Sequence, residues 1–116
     1  MTIRRLKTYT GSQGYVYQYY FVGQRPTPGG VASEYIFDVT DDRKTTYAVT
    51  VVLPKQVVAD WGSAHGRPLA DSEQYAAVKL RLFRAFDEQE NMRQTGRRLE
   101  IDLQSLAESL STLGVD

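Results

Sequence analysis

The chain has 116 residues, of which 41% are hydrophobic and 24% are charged, as in globular proteins and unlike disordered ones. Its fourteen basic and fourteen acidic residues balance, so no net field attracts nucleic acid or an anionic membrane. The absence of cysteine excludes a disulfide framework, a thiol nucleophile and the cysteine-bearing zinc sites.

The length suits a single domain over residues 1–116. The N-terminal stretch starts with charge and has no apolar h-region behind it, so it does not resemble a secretory signal. No run approaches the roughly eighteen apolar residues of a membrane span. We therefore expect a cytoplasmic protein with no membrane partner.

Aromatic and β-branched residues alternate with other residues along the first half of the chain. A period of two predicts extended strands, each with one apolar face. Residues 3–9 form a weak first strand, and three more strands are predicted at about 15–22, 32–40 and 45–53. Short connections favour antiparallel neighbours, so these strands should form a meander. Residues 23–30 are rich in proline and glycine, which predicts a mobile hairpin loop.

Helical spacing begins after Pro54, which ends the sheet and suits the first turn of a short helix closed by Gly62. Asp71 is the predicted N-cap of a long helix that continues to about Arg93. Gly96 then lies where a left-handed C-terminal residue is expected. The apolar arc of the long helix is wider than that of a surface helix, so we expect it to touch the sheet and a second apolar element.

The C-terminal leucines allow two interpretations. Their 4-3-4-3 spacing suits one helix, but Leu99, Ile101 and Leu103 also alternate with charged residues. We favour a short fifth strand within residues 97–103, followed by a helix over 103–113 capped by Asp102. The predicted fold is α+β: a four- or five-stranded antiparallel meander sheet, with a short helix, a long amphipathic helix and a C-terminal helix packed on one face.

The odd-numbered face of the predicted sheet carries most of the tyrosines. Aromatic side chains on an exposed sheet can stack nucleic-acid bases, and this alternative would use Tyr15, Tyr17 and Tyr19 with the basic residues Arg4 and Arg5. Rows this apolar are more consistent with a core beneath the long helix. We favour burial and do not expect nucleic acid as the partner.

The even-numbered face is more apolar than a monomer requires, because it carries Tyr20 and Ile36 among polar residues. This pattern is typical either of scattered surface apolars or of a partner surface. Our leading hypothesis is a non-enzymatic binding or protein-interaction module that binds itself as a homodimer, or another protein. The predicted binding residues are Tyr20, Gln18, Arg25 and Ile36.

Catalytic and metal-binding signals are weak. His65 is the single histidine, and a small enzyme that pairs it with a carboxylate is the remaining alternative. Asp38, Asp41 and Asp42 could supply oxygens to a hard cation, but an acidic pair before Arg43 is ordinary turn chemistry. We predict no catalytic residue, no metal and no cofactor.

Overall fold

A computed structural model describes residues 6–89 and 91–115. Within them, the chain forms five strands and four helices. The strands are β1 (Lys7–Thr10), β2 (Val16–Pro26), β3 (Ala32–Thr40), β4 (Tyr47–Pro54) and β5 (Arg98–Glu100). The helices are α1 (Lys55–His65), α2 (Asp71–Glu88), α3 (Met92–Thr95) and α4 (Leu103–Thr112). No helix in this part of the chain combines the length and apolar character needed to cross a bilayer.

The strands form one sheet in the order β1-β2-β3-β4-β5. The first four are antiparallel neighbours, which confirms the predicted meander and the α+β class. β5 differs, because it pairs parallel to β4, with Arg98 opposite Thr50. Three helices separate β4 from β5 along the chain. They carry the chain back toward the end at which β4 starts, so β5 runs in the same direction as β4 and pairs with it in parallel.

The odd-numbered side chains of the sheet form the core, as predicted, over residues 17–19 of β2, 35–39 of β3 and 47–53 of β4. Tyr17 is 1% exposed and stacks face to face on Phe86 of α2, with ring centroids 4.2 Å apart. Each helix contributes to the same buried cluster, so all four pack on this face of the sheet. Their fully buried contributions include Trp61, Val78, Leu82, Phe86, Met92, Leu106 and Leu110.

The hairpin between β2 and β3 departs from the prediction. β2 continues to Pro26 and pairs with β3 as far as Ser33, so the predicted loop over residues 23–30 is wrong for its first half. Proline is tolerated there because Thr27 and Ala32 are hydrogen-bonded, so the adjacent pair of Pro26 with Ser33 needs no N–H from the proline. The turn itself is tight, since Thr27 N–H donates to the Ala32 carbonyl at 2.9 Å.

The long helix also begins and ends differently from the prediction. Ala70, rather than Asp71, is the N-cap, and its N–H donates to the Glu73 carboxylate at 2.9 Å. α2 ends at Glu88, before the predicted Arg93, because Gln89 adopts an extended conformation.

Gly96 has φ −113° and is not left-handed. Glycine suits this position for a steric reason, since a Cβ here would lie 2.5 Å from Met92 Sδ.

The C-terminal segment follows the favoured interpretation. β5 occupies Arg98–Glu100, and α4 begins at Leu103 with Asp102 as its N-cap. The Asp102 carboxylate accepts a hydrogen bond from Ser105 N–H at 2.7 Å. α4 packs Leu106 and Leu110 into the core, and it contacts α2. α4 is therefore the second apolar element that the wide arc of α2 predicted.

Candidate interaction surface

The sheet has a second face, opposite the helices, which we name the outer face. Tyr17 and Tyr19 point into the core, so the alternation of β2 places Gln18 and Tyr20 on the outer face. The same alternation along β3 places Ile36 there, between the buried Tyr35 and Phe37.

Arg25 reaches the outer face through a β-bulge. Phe21 pairs with Phe37, but Gly23 pairs with Ile36, so Val22 is an extra residue in β2. An extra residue shifts the alternation by one position. Arg25 has an odd number and would otherwise face the core, but it lies opposite Glu34 on the outer face.

Glu34 is the centre of a three-residue ion cluster. Arg25 Nε donates to its Oε1 at 2.8 Å, and an Arg98 terminal nitrogen donates to its Oε2 at 2.9 Å. Glu34 is only 6% exposed, and a buried carboxylate needs such partners to offset its lost hydration. The hydrogen bonds from Arg25 and Arg98 lower the pKa of Glu34, so it stays ionised at neutral pH.

The two arginines, rather than the glutamate, meet solvent at this cluster. The Arg25 and Arg98 side chains are 65% and 56% exposed, whereas that of Glu34 is 9% exposed. Two cations share one carboxylate, so the cluster carries one net positive charge. Its guanidinium groups are held in place before any partner arrives, which reduces the entropic cost of using them in binding.

Tyr20 and Asp38 form the second polar pair of the outer face. They are cross-strand neighbours, and the Tyr20 hydroxyl donates to Asp38 Oδ2 at 2.6 Å. This hydrogen bond fixes both side chains on the sheet. Ile36 lies between this pair and the Glu34 cluster along β3. Along β3, the outer face therefore presents in turn the Asp38 carboxylate, the Ile36 side chain and the ion cluster at Glu34.

The structure brings together the four predicted binding residues, Tyr20, Gln18, Arg25 and Ile36, on this one face. Their role in binding stays a prediction. Sequence reasoning placed Glu34 on this face with Ile36 but missed that Arg25 and Arg98 both meet it there. The signal for this cluster in the sequence was Glu34 itself, an acidic residue at an even position among the apolar residues of β3.

The three tyrosines of the nucleic-acid alternative differ in exposure. Tyr17 and Tyr19 are 1% and 4% exposed and pack in the core, so their rings cannot stack on a base while α2 is in place. Tyr15 lies just before β2 and is 52% exposed. Arg4 and Arg5 lie outside the residues that the structure describes.

His65 is an exposed residue at the end of α1. Its ring stacks on Trp61 at 4.0 Å, and the Trp61 carbonyl accepts a hydrogen bond from its Nδ1 at 2.9 Å. Over residues 6–89 and 91–115, no carboxylate hydrogen-bonds to this ring. The enzyme alternative requires a carboxylate that orients this ring, and it stays a prediction.

A shallow groove of about 600 Å³ lies at the junction of α1 and α2, near this histidine. Lys55 and Arg67 both line this groove, and Arg67 makes two hydrogen bonds to Glu73. Those bonds, together with the Ala70 N–H, lower the pKa of Glu73 to about 2. Glu73 is therefore fully ionised near neutral pH and is a poor proton donor or acceptor there.

Of the two acidic residues before Arg43, Asp42 holds the turn between β3 and β4, and Asp41 accepts a hydrogen bond from Arg93. Asp42 Oδ1 accepts from the backbone N–H groups of Lys44 and Thr45 at 2.8 and 3.0 Å. These hydrogen bonds lower the pKa of Asp42 and hold the turn, as expected of aspartate in this position. In the described part of the chain, no three histidine or carboxylate side chains are grouped as metal ligands.

In comparisons with protein-family models, curated proteins and solved structures, no match to this chain was found.

Proposed function

We propose that the protein is a non-enzymatic interaction module that self-associates through the outer face of its sheet. The observation that carries this proposal is the placement of all four described helices on the other face. An antiparallel sheet can leave one face in water. The outer face nevertheless carries Tyr20 and Ile36, together with charged groups already fixed by their neighbours.

The polar groups of the outer face support binding rather than catalysis. Asp38 is hydrogen-bonded to Tyr20, and Glu34 is hydrogen-bonded to two arginines. A general acid or base needs a pKa near the working pH, whereas these arginines shift the pKa of Glu34 downwards. Fixed, ionised groups of opposite sign give a surface selectivity for its partner without supplying a proton.

A second copy of the chain is the partner that this proposal selects. The chain has no net charge, so two copies do not repel each other overall. The outer face presents the guanidinium groups of Arg25 and Arg98 and the Asp38 carboxylate, so groups of both signs are available to a second copy. A cytoplasmic location is part of the proposal and is compatible with the lack of cysteine, since many small secreted domains depend on disulfides.

The size of the face sets the expected strength of association. Four strands about 4.8 Å apart and about eight residues long offer a flat area of roughly 500 Å² per copy. Stable complexes bury about 800 Å² per partner. A face of this size falls among weak, transient interfaces, so we expect a reversible dimer rather than a permanent one.

Sedimentation velocity over a concentration series tests the proposal. The wild type should move from monomer to dimer as its concentration rises, and Tyr20→Glu should stay monomeric because a charge replaces the ring beside Asp38. Leu103→Glu is the matched control, because Leu103 is 43% exposed on α4, away from the outer face. A wild type that stays monomeric at about millimolar concentration, or a control that dissociates as strongly as Tyr20→Glu, would contradict the proposal.

A further inference from the structure

Two lysines meet on the helix side of the sheet, at its β1 edge. Lys7 pairs with the buried Tyr19, and residues directly opposite each other in an antiparallel pair share a face. Lys7 therefore points towards α2, where its side chain meets that of Lys79. We refer to Lys7 and Lys79 as the lysine pair.

No carboxylate balances the lysine pair. In the part of the chain that the structure describes, neither lysine forms an ion pair. The acidic residues nearest to Lys79 along α2 are Glu73 and Asp87, and both are hydrogen-bonded elsewhere. Burial first, and then the neighbouring Lys7, lower the pKa of Lys79. Because an ammonium group has donors but no acceptor, two charged lysines cannot bond each other, whereas an anion between them accepts from both.

Two aromatic rings flank the ammonium group of Lys79. Its Nζ lies 5.8 Å from the centroid of the Tyr75 ring and 5.9 Å from that of the Phe83 ring, since residues four apart on a helix are neighbours. Tyr9 stacks on Phe83, with ring centroids 4.5 Å apart. Phe21 packs edge-on against Tyr75 at 5.0 Å. The two rings are therefore held in place before a ligand arrives, which lowers the cost of binding one.

An apolar groove begins at Lys79. Its volume is about 250 Å³, and it is lined by Tyr75, Ala76, Lys79, Leu80, Phe83 and Leu113. Lys79 is the one charged residue among them. An apolar cavity of about 150 Å³ holds a benzene molecule, so this groove has room for one aromatic ring and a short chain.

We infer that the lysine pair and this groove form a binding site for a small aromatic carboxylate. Each ammonium group donates to one carboxylate oxygen, and the ring of the ligand lies in the groove against Tyr75 and Phe83. A carboxylate is selected over a neutral ligand because it supplies the acceptor and the negative charge that the lysine pair lacks. The site is separate from the outer face, since Lys7 and α2 lie on the opposite side of the sheet.

A series of ligands tests the site on the wild-type protein by heteronuclear NMR titration. Phenylpropanoate should shift the amide signals around Lys79 with a dissociation constant of about 1 mM, as expected of a ligand with so few atoms. Phenylpropanol and phenylpropylamine have the same ring and chain without the negative charge, and acetate has the charge without the ring. Each of these three should bind at least about tenfold more weakly than phenylpropanoate.

Variants without the positive charge locate the binding. K79M and K7M keep an apolar stem but lose the ammonium group, so each should weaken phenylpropanoate binding by about tenfold. K44M is the matched control, because Lys44 is exposed in the turn between β3 and β4 and does not line the groove. It should bind phenylpropanoate like the wild type. K7M changes an exposed residue at the edge of the sheet, so it keeps the test available if circular dichroism shows that K79M does not fold.

Three results would overturn the inference. The first is the absence of saturable shifts with phenylpropanoate. The second is phenylpropanol that binds as tightly as phenylpropanoate, because the groove would then bind apolar ligands without using the lysine pair. The third is a folded K79M or K7M that binds like K44M. Self-association through the outer face would stand after any of the three.

Discussion

Replacing Tyr17 with alanine should destabilise the protein far more than the same change at Tyr15. Tyr17 is 1% exposed and lies face to face with Phe86 at 4.2 Å, whereas Tyr15 is 52% exposed. Removing a buried aromatic ring costs about 3–5 kcal/mol, which includes the lost contacts and the cavity. Tyr15→Ala should cost about 0.5 kcal/mol, as do other surface substitutions.

Urea unfolding followed by the fluorescence of Trp61 measures both effects. Trp61 is the single tryptophan and is 1% exposed, so its emission should shift when the core opens. For a chain of this length, about 4 °C of melting temperature corresponds to 1 kcal/mol, so Tyr17→Ala should melt about 12–20 °C below the wild type. Stability is commonly about 5–15 kcal/mol, so circular dichroism must first show that the variant is folded.

One outcome of this comparison of the two variants would contradict the burial of Tyr17. If Tyr17→Ala lost less than about 1 kcal/mol, or no more than Tyr15→Ala, the ring could not be a packed core residue. The burial of the odd-numbered face beneath α2 would then be wrong. The outer face would also lose its status as the exposed side of the sheet.

Three further predictions concern the stability contributed by particular side chains. The buried Tyr47 hydroxyl has no hydrogen-bond partner in the part of the chain that the structure describes, so Tyr47→Phe should raise the free energy of unfolding by about 1 kcal/mol in urea titrations. Burial raises the pKa of Tyr17, Tyr35 and Tyr47. Above about pH 10 the unfolded chain therefore loses protons that the folded chain keeps, so the melting temperature should be steady from about pH 7 to pH 10 and fall above it. Asp102→Ala removes the cap that accepts from Ser105 N–H and should cost about 1 kcal/mol, measured by thermal unfolding; no loss would mean that the cap contributes nothing.

The strands and the core face could be predicted because a period of two places residues on alternate sides of a sheet. Once Tyr35, Phe37 and Val39 are assigned to the core, Ile36 and Asp38 must lie on the other side. The start of α4 could also be predicted, since aspartate at position 102 caps the helix through a short-range hydrogen bond. These features depend on local sequence alone.

The features that the sequence did not reveal depend on contacts between distant segments. The bulge at Val22 reverses the side to which Arg25 points, and it exists through the pairing of β2 with β3. Arg98 reaches Glu34 from across the sheet, although 64 positions separate them in sequence. The outer face was therefore foreseen from Tyr20 and Ile36, but its ion cluster was not.

Cross-linking of a single introduced cysteine tests the outer-face dimer most directly, because the wild-type chain contains no cysteine. Facing sheets lie about 10 Å apart, too far for a disulfide but within reach of a short bismaleimide. The Ile36→Cys variant should give a covalent dimer whose yield rises with protein concentration, and Leu103→Cys should give little. Equal yields from the two variants, or no dimer from Ile36→Cys, would contradict self-association through this face.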